Sequence, residues 1–145
     1  MPETKILSEY EKKLEAWSIL KVVYDQFEQS IPDYKKYEDK VLHNAIVVEA
    51  TVNHKAAGLV AFYANDFQTK LAYISQIAVL PDMQRKGVGE CLLKKCEEYC
   101  KAVGMKALRL EVKTDNQKAI AFYSKQGFLY ECKASINSNY LIKEI

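Results

Sequence analysis

The chain has no long apolar run, no internal repeat, no low-complexity tract and no linker-like stretch of Pro, Gly and Ser. Nothing in it approaches the roughly 18 consecutive apolar residues that cross a bilayer as a helix. Met1-Pro2-Glu3-Thr4 lacks the basic and then apolar regions of a secretory signal. The expectation is a cytoplasmic protein with no membrane partner. An excess of one charge is also missing: 21 Lys and Arg face 19 Asp and Glu, for a net charge of +2. The doublets Lys12-Lys13, Lys35-Lys36 and Lys94-Lys95 are scattered and read as solvated faces, so no nucleic-acid partner is expected. Metal-ligand patterns are absent as well. His43 and His54 are isolated, and Cys91, Cys96, Cys100 and Cys132 contain no C-x-x-C pair. No metal is therefore expected, and the thiols read as small buried hydrophobes of a reducing compartment.

What the chain does have is enough apolar material for a core. With 145 residues, 49% of them hydrophobic, residues 1–145 are expected to form a single domain. Leu7, Tyr10, Leu14, Trp17, Leu20, Tyr24 and Phe27 recur at helical spacing, predicting one amphipathic helix that ends before Ile31-Pro32. Asp33 is placed to cap a second helix through about Leu42. Strands follow at 45–52 and 56–63, joined by a turn at Asn53-His54-Lys55, and at 71–79. The last is apolar on both faces, as a covered central strand would be. A helix from Val88 to Val103 ends at Gly104, a strand at 106–113 alternates, and a helix from Asn116 is ended by Gly127. Strands at 128–134 and 140–145 complete the reading, an α/β mixed sheet of six to seven strands flanked by helices.

The most informative segment is Gln84-Arg85-Lys86-Gly87-Val88-Gly89, between the strand at 71–79 and the helix at 88–103. Glycines at a strand-to-helix junction let backbone approach a ligand closely, and the free N–H groups of a helix's first turn favour an anion such as phosphate. Arg85 and Lys86 add positive charge. Taken alone, the glycine pair fits an ordinary tight turn equally well.

Two motifs in order narrow that choice. Gln84-x-x-Gly87-x-Gly89, preceded by Ile77-Ala78-Val79 and followed by Leu92-Leu93, resembles the acetyl-coenzyme A motif of the GNAT superfamily of N-acetyltransferases. Asn116-x-x-Ala119-x-x-Phe122-Tyr123-x-x-x-Gly127-Phe128 resembles the same family's second motif. The resemblance covers about residues 45–145 and is strongest from Tyr73 to Phe128. It implies the GNAT acyl-CoA N-acyltransferase fold, acetyl-CoA as co-substrate, an amine acceptor, and direct transfer in a ternary complex. A homodimer is compatible with it. The family opens with a short strand, for which Lys5-Ile6-Leu7 is the only candidate, so that strand is expected to be very short or missing. A non-catalytic acyl-CoA-binding protein of the same fold is the alternative.

The resemblance also assigns roles. Backbone groups of Ile77, Ala78 and Val79 are expected to hold the pantetheine arm, and Gln84, Arg85, Lys86, Gly87, Val88, Gly89 and Glu90 to surround the pyrophosphate. Glu90 departs from the Ser, Thr or Arg often found at its position. On the following helix Asn116, Ala119 and Tyr123 share a face, and the matching tyrosine often acts as general acid toward the coenzyme A sulfur. The alternative is that Tyr123 merely packs against Phe122. Glu111 stands twelve residues before Tyr123, in the Leu-Glu-Val position of a base proposed for the ribosomal-protein alanine acetyltransferases. A surface carboxylate paired with Arg109 or Lys113, with water conducting the proton instead, is the other reading. Tyr34 and Tyr37 are expected to wall the acceptor, whose identity the sequence leaves open.

Overall fold

The computed structural model describes all of residues 1–145. Seven strands form one sheet: β1 (Glu3–Leu7), β2 (Ile46–Val52), β3 (Lys55–Tyr63), β4 (Leu71–Val79), β5 (Ala107–Lys113), β6 (Leu129–Ser135) and β7 (Ser138–Glu144), in spatial order β1-β2-β3-β4-β5-β7-β6. Every neighbouring pair is antiparallel except β4 and β5. One face carries α1 (Tyr10–Trp17), α2 (Ile19–Val23), α3 (Phe27–Ser30) and α4 (Tyr34–Asn44), whose apolar side chains bury Trp17, Leu20, Phe27 and Leu42 against Val47, Leu59 and Ala61. The other carries α5 (Val88–Ala102) and α6 (Gln117–Lys125), with Leu92, Cys96 and Cys100 packed on Val60, Phe62, Leu108 and Leu110.

Two features of β4 position the site. The ladder pairs Ala61 with Gln76 and Phe62 with Ile74, which leaves Ser75 as an extra residue. Such a bulge reverses the inward and outward alternation. Ala72 and Ile74 therefore pack toward α5, Ser75 and Gln76 both reach Tyr37 of α4, and Ile77 and Val79 return to the α5 side. Pairing between β4 and β5 ends at Ile74 and Leu110, although β4 runs on to Val79 and β5 to Lys113. The two strands consequently part into an open wedge, and the far half of β4 presents a free edge.

The start of the chain differs from the sequence reading in two ways. The first strand is present: β1 pairs along its whole length with β2, from Glu3 opposite Thr51 to Leu7 opposite Val47. Cross-strand hydrogen bonding fixes it, a force invisible in a five-residue segment. The single long helix is instead three short ones. Ser18 interrupts it, Tyr24 is extended at φ −106° and ψ 123°, and Gln26 is left-handed at φ 51°. Trp17, Leu20 and Phe27 still enter one apolar cluster, so the periodic stripe reported shared burial rather than helix continuity.

Candidate active site

At the junction of β4 and α5 a 3-10 turn, Pro81–Met83, leads through extended Gln84 to Arg85 and Gly87, both left-handed at φ 64° and 76°. Gly87 suits that conformation because it has no Cβ; Arg85 adopts it at a cost that non-glycine residues bear mainly at constrained sites. The first hydrogen bond of α5 runs from the Cys91 N–H to the Gly87 carbonyl at 3.0 Å. The amides of Val88, Gly89 and Glu90 precede it, and no side chain caps them. They form an anion-favouring end of a 15-residue helix. Gly89 has a second use: a Cβ built there would lie 3.0 Å from the Phe122 ring, so its absence lets α6 close onto α5.

A cleft of about 420 Å³ opens between this loop, the free edge of β4, α6 and the end of α2. Of the residues expected to bind the co-substrate, Ile77, Ala78, Val79, Gln84, Arg85, Gly87, Val88, Gly89, Glu90, Asn116, Ala119 and Tyr123 line it, and Lys86 stands outside. Glu90 is solvent-exposed at the rim. Val23, Tyr24, Lys118 and Phe122 complete the wall without having been anticipated. Lys118 had a findable signal, being a cation two residues past the helix cap; Tyr24 did not, because the helix it was assigned to is broken there.

The backbone of β4 divides by alternation. Leu80 donates to the Ala57 carbonyl at 2.8 Å, which sets the even-numbered residues as those bonded to β3. A Cβ on Gly58 of β3 would sit 2.6 Å from the Ala78 carbonyl oxygen, in keeping with that orientation. Ala78 is thus committed to the sheet, while the amide groups of Ile77 and Val79 face the open wedge. The Tyr24 hydroxyl donates to the Ile77 carbonyl at 2.7 Å.

Asn116 caps α6, its Oδ1 accepting from the Ala119 N–H at 3.1 Å, so part of its hydrogen-bonding capacity is structural. Tyr123 packs edge-on to both Phe122 and Phe128 and still borders the cleft. Burial, reinforced by the nearby Tyr24, raises its phenol well above the ordinary value, so the proton stays on.

Glu111 lies on the opposite sheet face from Leu108, Leu110 and Val112 and outside the cleft lining. It is exposed and accepts a 2.6 Å hydrogen bond from Ser138 Oγ. The ion pair weighed for it does not form: Arg109 instead grips Glu131 at 2.7 and 2.8 Å and lies 4.7 Å over the Tyr140 ring, and Lys113 has no carboxylate partner. The two tyrosines expected as an acceptor wall part company. Tyr34 turns inward, accepting from Trp17 Nε1 at 2.8 Å and donating to buried Glu38 at 2.7 Å. Tyr37 reaches the β4 bulge, 2.8 Å from Ser75 Oγ. No helix is long and apolar enough to cross a membrane, and no group of three or more His, Cys, Asp or Glu residues is placed to hold a metal.

A mixed sheet splayed at a parallel pair, with a glycine loop at the splay, defines an acyl-CoA N-acyltransferase architecture. The chain belongs to the acetyltransferase (GNAT) family, whose model matches residues 8–128. It is 37% identical over 81 residues to an uncharacterized N-acetyltransferase of Methanocaldococcus jannaschii, covering 53% of this chain and 36% of that one. It is 37% identical over 92 residues to the [ribosomal protein bS18]-alanine N-acetyltransferase of Escherichia coli K12, covering 63% of this chain and 58% of the relative. The chain thus spans between about a third and three-fifths of the length of these curated relatives. Among solved structures, the E. coli ribosomal-protein-S18-alanine N-acetyltransferase superposes with a TM-score of 0.79 at 23% identity, over 100% of this chain and 94% of that one. The PaiA N-acetyltransferase of Thermoplasma acidophilum, solved with coenzyme A, gives 0.76 at 20% identity, over 100% and 99%. These two likenesses establish the fold.

Proposed function

We propose that this chain is an acetyl-CoA-dependent N-acetyltransferase that moves an acetyl group to a primary amine by direct transfer in a ternary complex. The observation that carries the proposal is the convergence on one cleft of uncapped α5 amides, the free edge of β4 and the protonated Tyr123. The residues fit the co-substrate: first-turn amides with Arg85 and Lys118 suit a pyrophosphate, and Ile77 and Val79 offer amide groups to an extended arm. Bound there, acetyl-CoA supplies an activated acyl group and a thiolate leaving group.

The protein's own groups then have three tasks. A β4 amide facing the wedge donates to the carbonyl oxygen as it gains charge. Tyr123 donates its proton toward the departing sulfur. Glu111, on the sheet face opposite α6, takes the proton of the incoming ammonium directly or through water. That the relative from E. coli is named for an alanine acceptor supports an amine substrate. A protein that only binds acyl-CoA has no use for a half-buried phenol at the cleft wall, and this disfavours the non-catalytic reading. Release of free coenzyme A thiol with a panel of amines, beside calorimetry with acetyl-CoA alone, tests the proposal. Binding without amine-dependent release would leave the non-catalytic reading standing.

A further inference from the structure

A second hollow, about 480 Å³, opens on the sheet face opposite α6. Tyr37, Lys40 and Asn44 of α4 form one side; Tyr63, Asn65, Tyr73 and Ser75 form the other. Its inner end is the β4 bulge, where the Tyr37 hydroxyl meets Ser75 Oγ at 2.8 Å and accepts from Gln76 Nε2 at 3.1 Å. Tyr73 links it electrostatically to Glu111: burial and then that carboxylate push its phenol up to about 12. The hollow thus lies on the same sheet face as Glu111, beside the strand pair in which Tyr73 stands opposite Arg109.

Its charge is one-sided. Lys40 is the only ionic residue in the lining, and no carboxylate pairs with it. The carboxylates of α4 and of β6 are already engaged: Glu38 by Lys35 and Tyr34, Asp39 by Tyr10, Glu131 by Arg109. Glu111, on this sheet face, has Ser138 as its one side-chain partner and keeps capacity for an ammonium. A polycation would meet one free carboxylate and then a lysine. An amine with an anionic tail would meet both with complementary charge.

We infer that the acceptor is a small primary amine carrying a carboxylate or phosphate, with Lys40 receiving the anion. The inference rests on the acetyltransferase reading.

The test is steady-state kinetics at saturating acetyl-CoA with amines of matched length: ω-aminopentanoate, aminopropyl phosphate, pentylamine and diaminopentane. The two anionic amines should exceed diaminopentane in kcat/KM by about tenfold, the scale of one charge-assisted contact. Lys40→Glu should reverse that order mainly through KM, and Lys40→Arg should retain it. A preference for the carboxylate over the phosphate, or the converse, names the tail. Diaminopentane turned over as well as the anionic amines, or a ratio unmoved in Lys40→Glu, overturns the acceptor class while leaving the acetyltransferase reading intact. No turnover of any amine by protein that binds acetyl-CoA in calorimetry overturns both.

Discussion

Tyr123 holds its proton more tightly than an ordinary phenol, because burial penalises the phenolate and Tyr24 adds to the effect. A phenol near pKa 10 is already a weaker acid than a thiol near 8.5, so complete transfer to a finished thiolate runs uphill by about 2 kcal/mol, and burial steepens it. In the proposed mechanism the side chain would therefore act as a hydrogen-bond donor while charge builds on sulfur, with the proton restored afterwards. Tyr123→Phe keeps the packing on Phe122 and Phe128 and removes the donor. It should lower kcat by roughly 10²-fold with acetyl-CoA affinity nearly unchanged. The raised phenol also means that Tyr123 imposes no falling limb on the pH–rate profile below about pH 10. Parent-like turnover in Tyr123→Phe would make the ring structural. Glu111 is tested through its substrate. An aliphatic ammonium with a pKa of about 10.4 leaves roughly one molecule in a thousand deprotonated at pH 7. Glu111→Gln keeps the bond from Ser138 geometrically possible but removes basicity, so its rate loss should be greatest near neutral pH and shrink as pH rises. A uniform loss across the profile would assign Glu111 to positioning, with water carrying the proton.

At the scale of elements, α5 and β4 make the cleft, and glycines control both. Gly89→Asp places a Cβ 3.0 Å from the Phe122 ring and an anion on the first turn of α5. Acetyl-CoA binding should disappear in calorimetry, with a small loss of melting temperature because the ring can shift. Unchanged affinity in the folded variant would remove α5 from the phosphate site. Gly58 behaves differently, since its missing Cβ faces backbone, the Ala78 carbonyl oxygen at 2.6 Å, with Leu92 and Val88 at 3.2 Å behind it. Backbone yields less readily than a ring. Gly58→Ala should therefore destabilise the protein by about 1–3 kcal/mol in urea unfolding, as overpacked cores do, and disturb the β4 edge that lines the cleft.

For the whole molecule, the two cores lie on opposite sheet faces, and the cleft passes between them where β4 and β5 separate. A ligand in that wedge bridges elements that otherwise do not pair, so binding and global stability are linked. Acetyl-CoA at a hundred times its Kd should add about 2.7 kcal/mol to unfolding. The same addition should leave Gly89→Asp unshifted, which a thermal melt with and without ligand checks directly.

Much of this architecture was readable along the chain because its cues are local. Gly87, Gly104 and Gly127 stand at left-handed positions, φ 76°, 94° and 98°, where punctuation was read. Strands β2 to β5 and helices α5 and α6 fall within a residue or two of their expected bounds, since alternation and helical period survive folding unchanged. Most of the cleft was readable for the same reason: all its residues but Val23 and Tyr24 come from two short segments, each organised by its own turn or helix face.

The rest depended on partners far away in sequence. Strand β1 exists because β2 offers it a hydrogen-bonding edge, and the first helix breaks although its apolar stripe does not. Tyr24 reaches Ile77 across 53 residues, and the Ser75 bulge turns Gln76 toward Tyr37 across 39, neither of which any spacing rule encodes. The sequence by itself determined the local conformations and the chemical groups available at the junction of β4 and α5. The tertiary structure alone decided which backbone amides face the wedge, which carboxylates remain free and on which face of the sheet the second hollow opens, because pairing register and charge neutralisation arise only when distant segments meet.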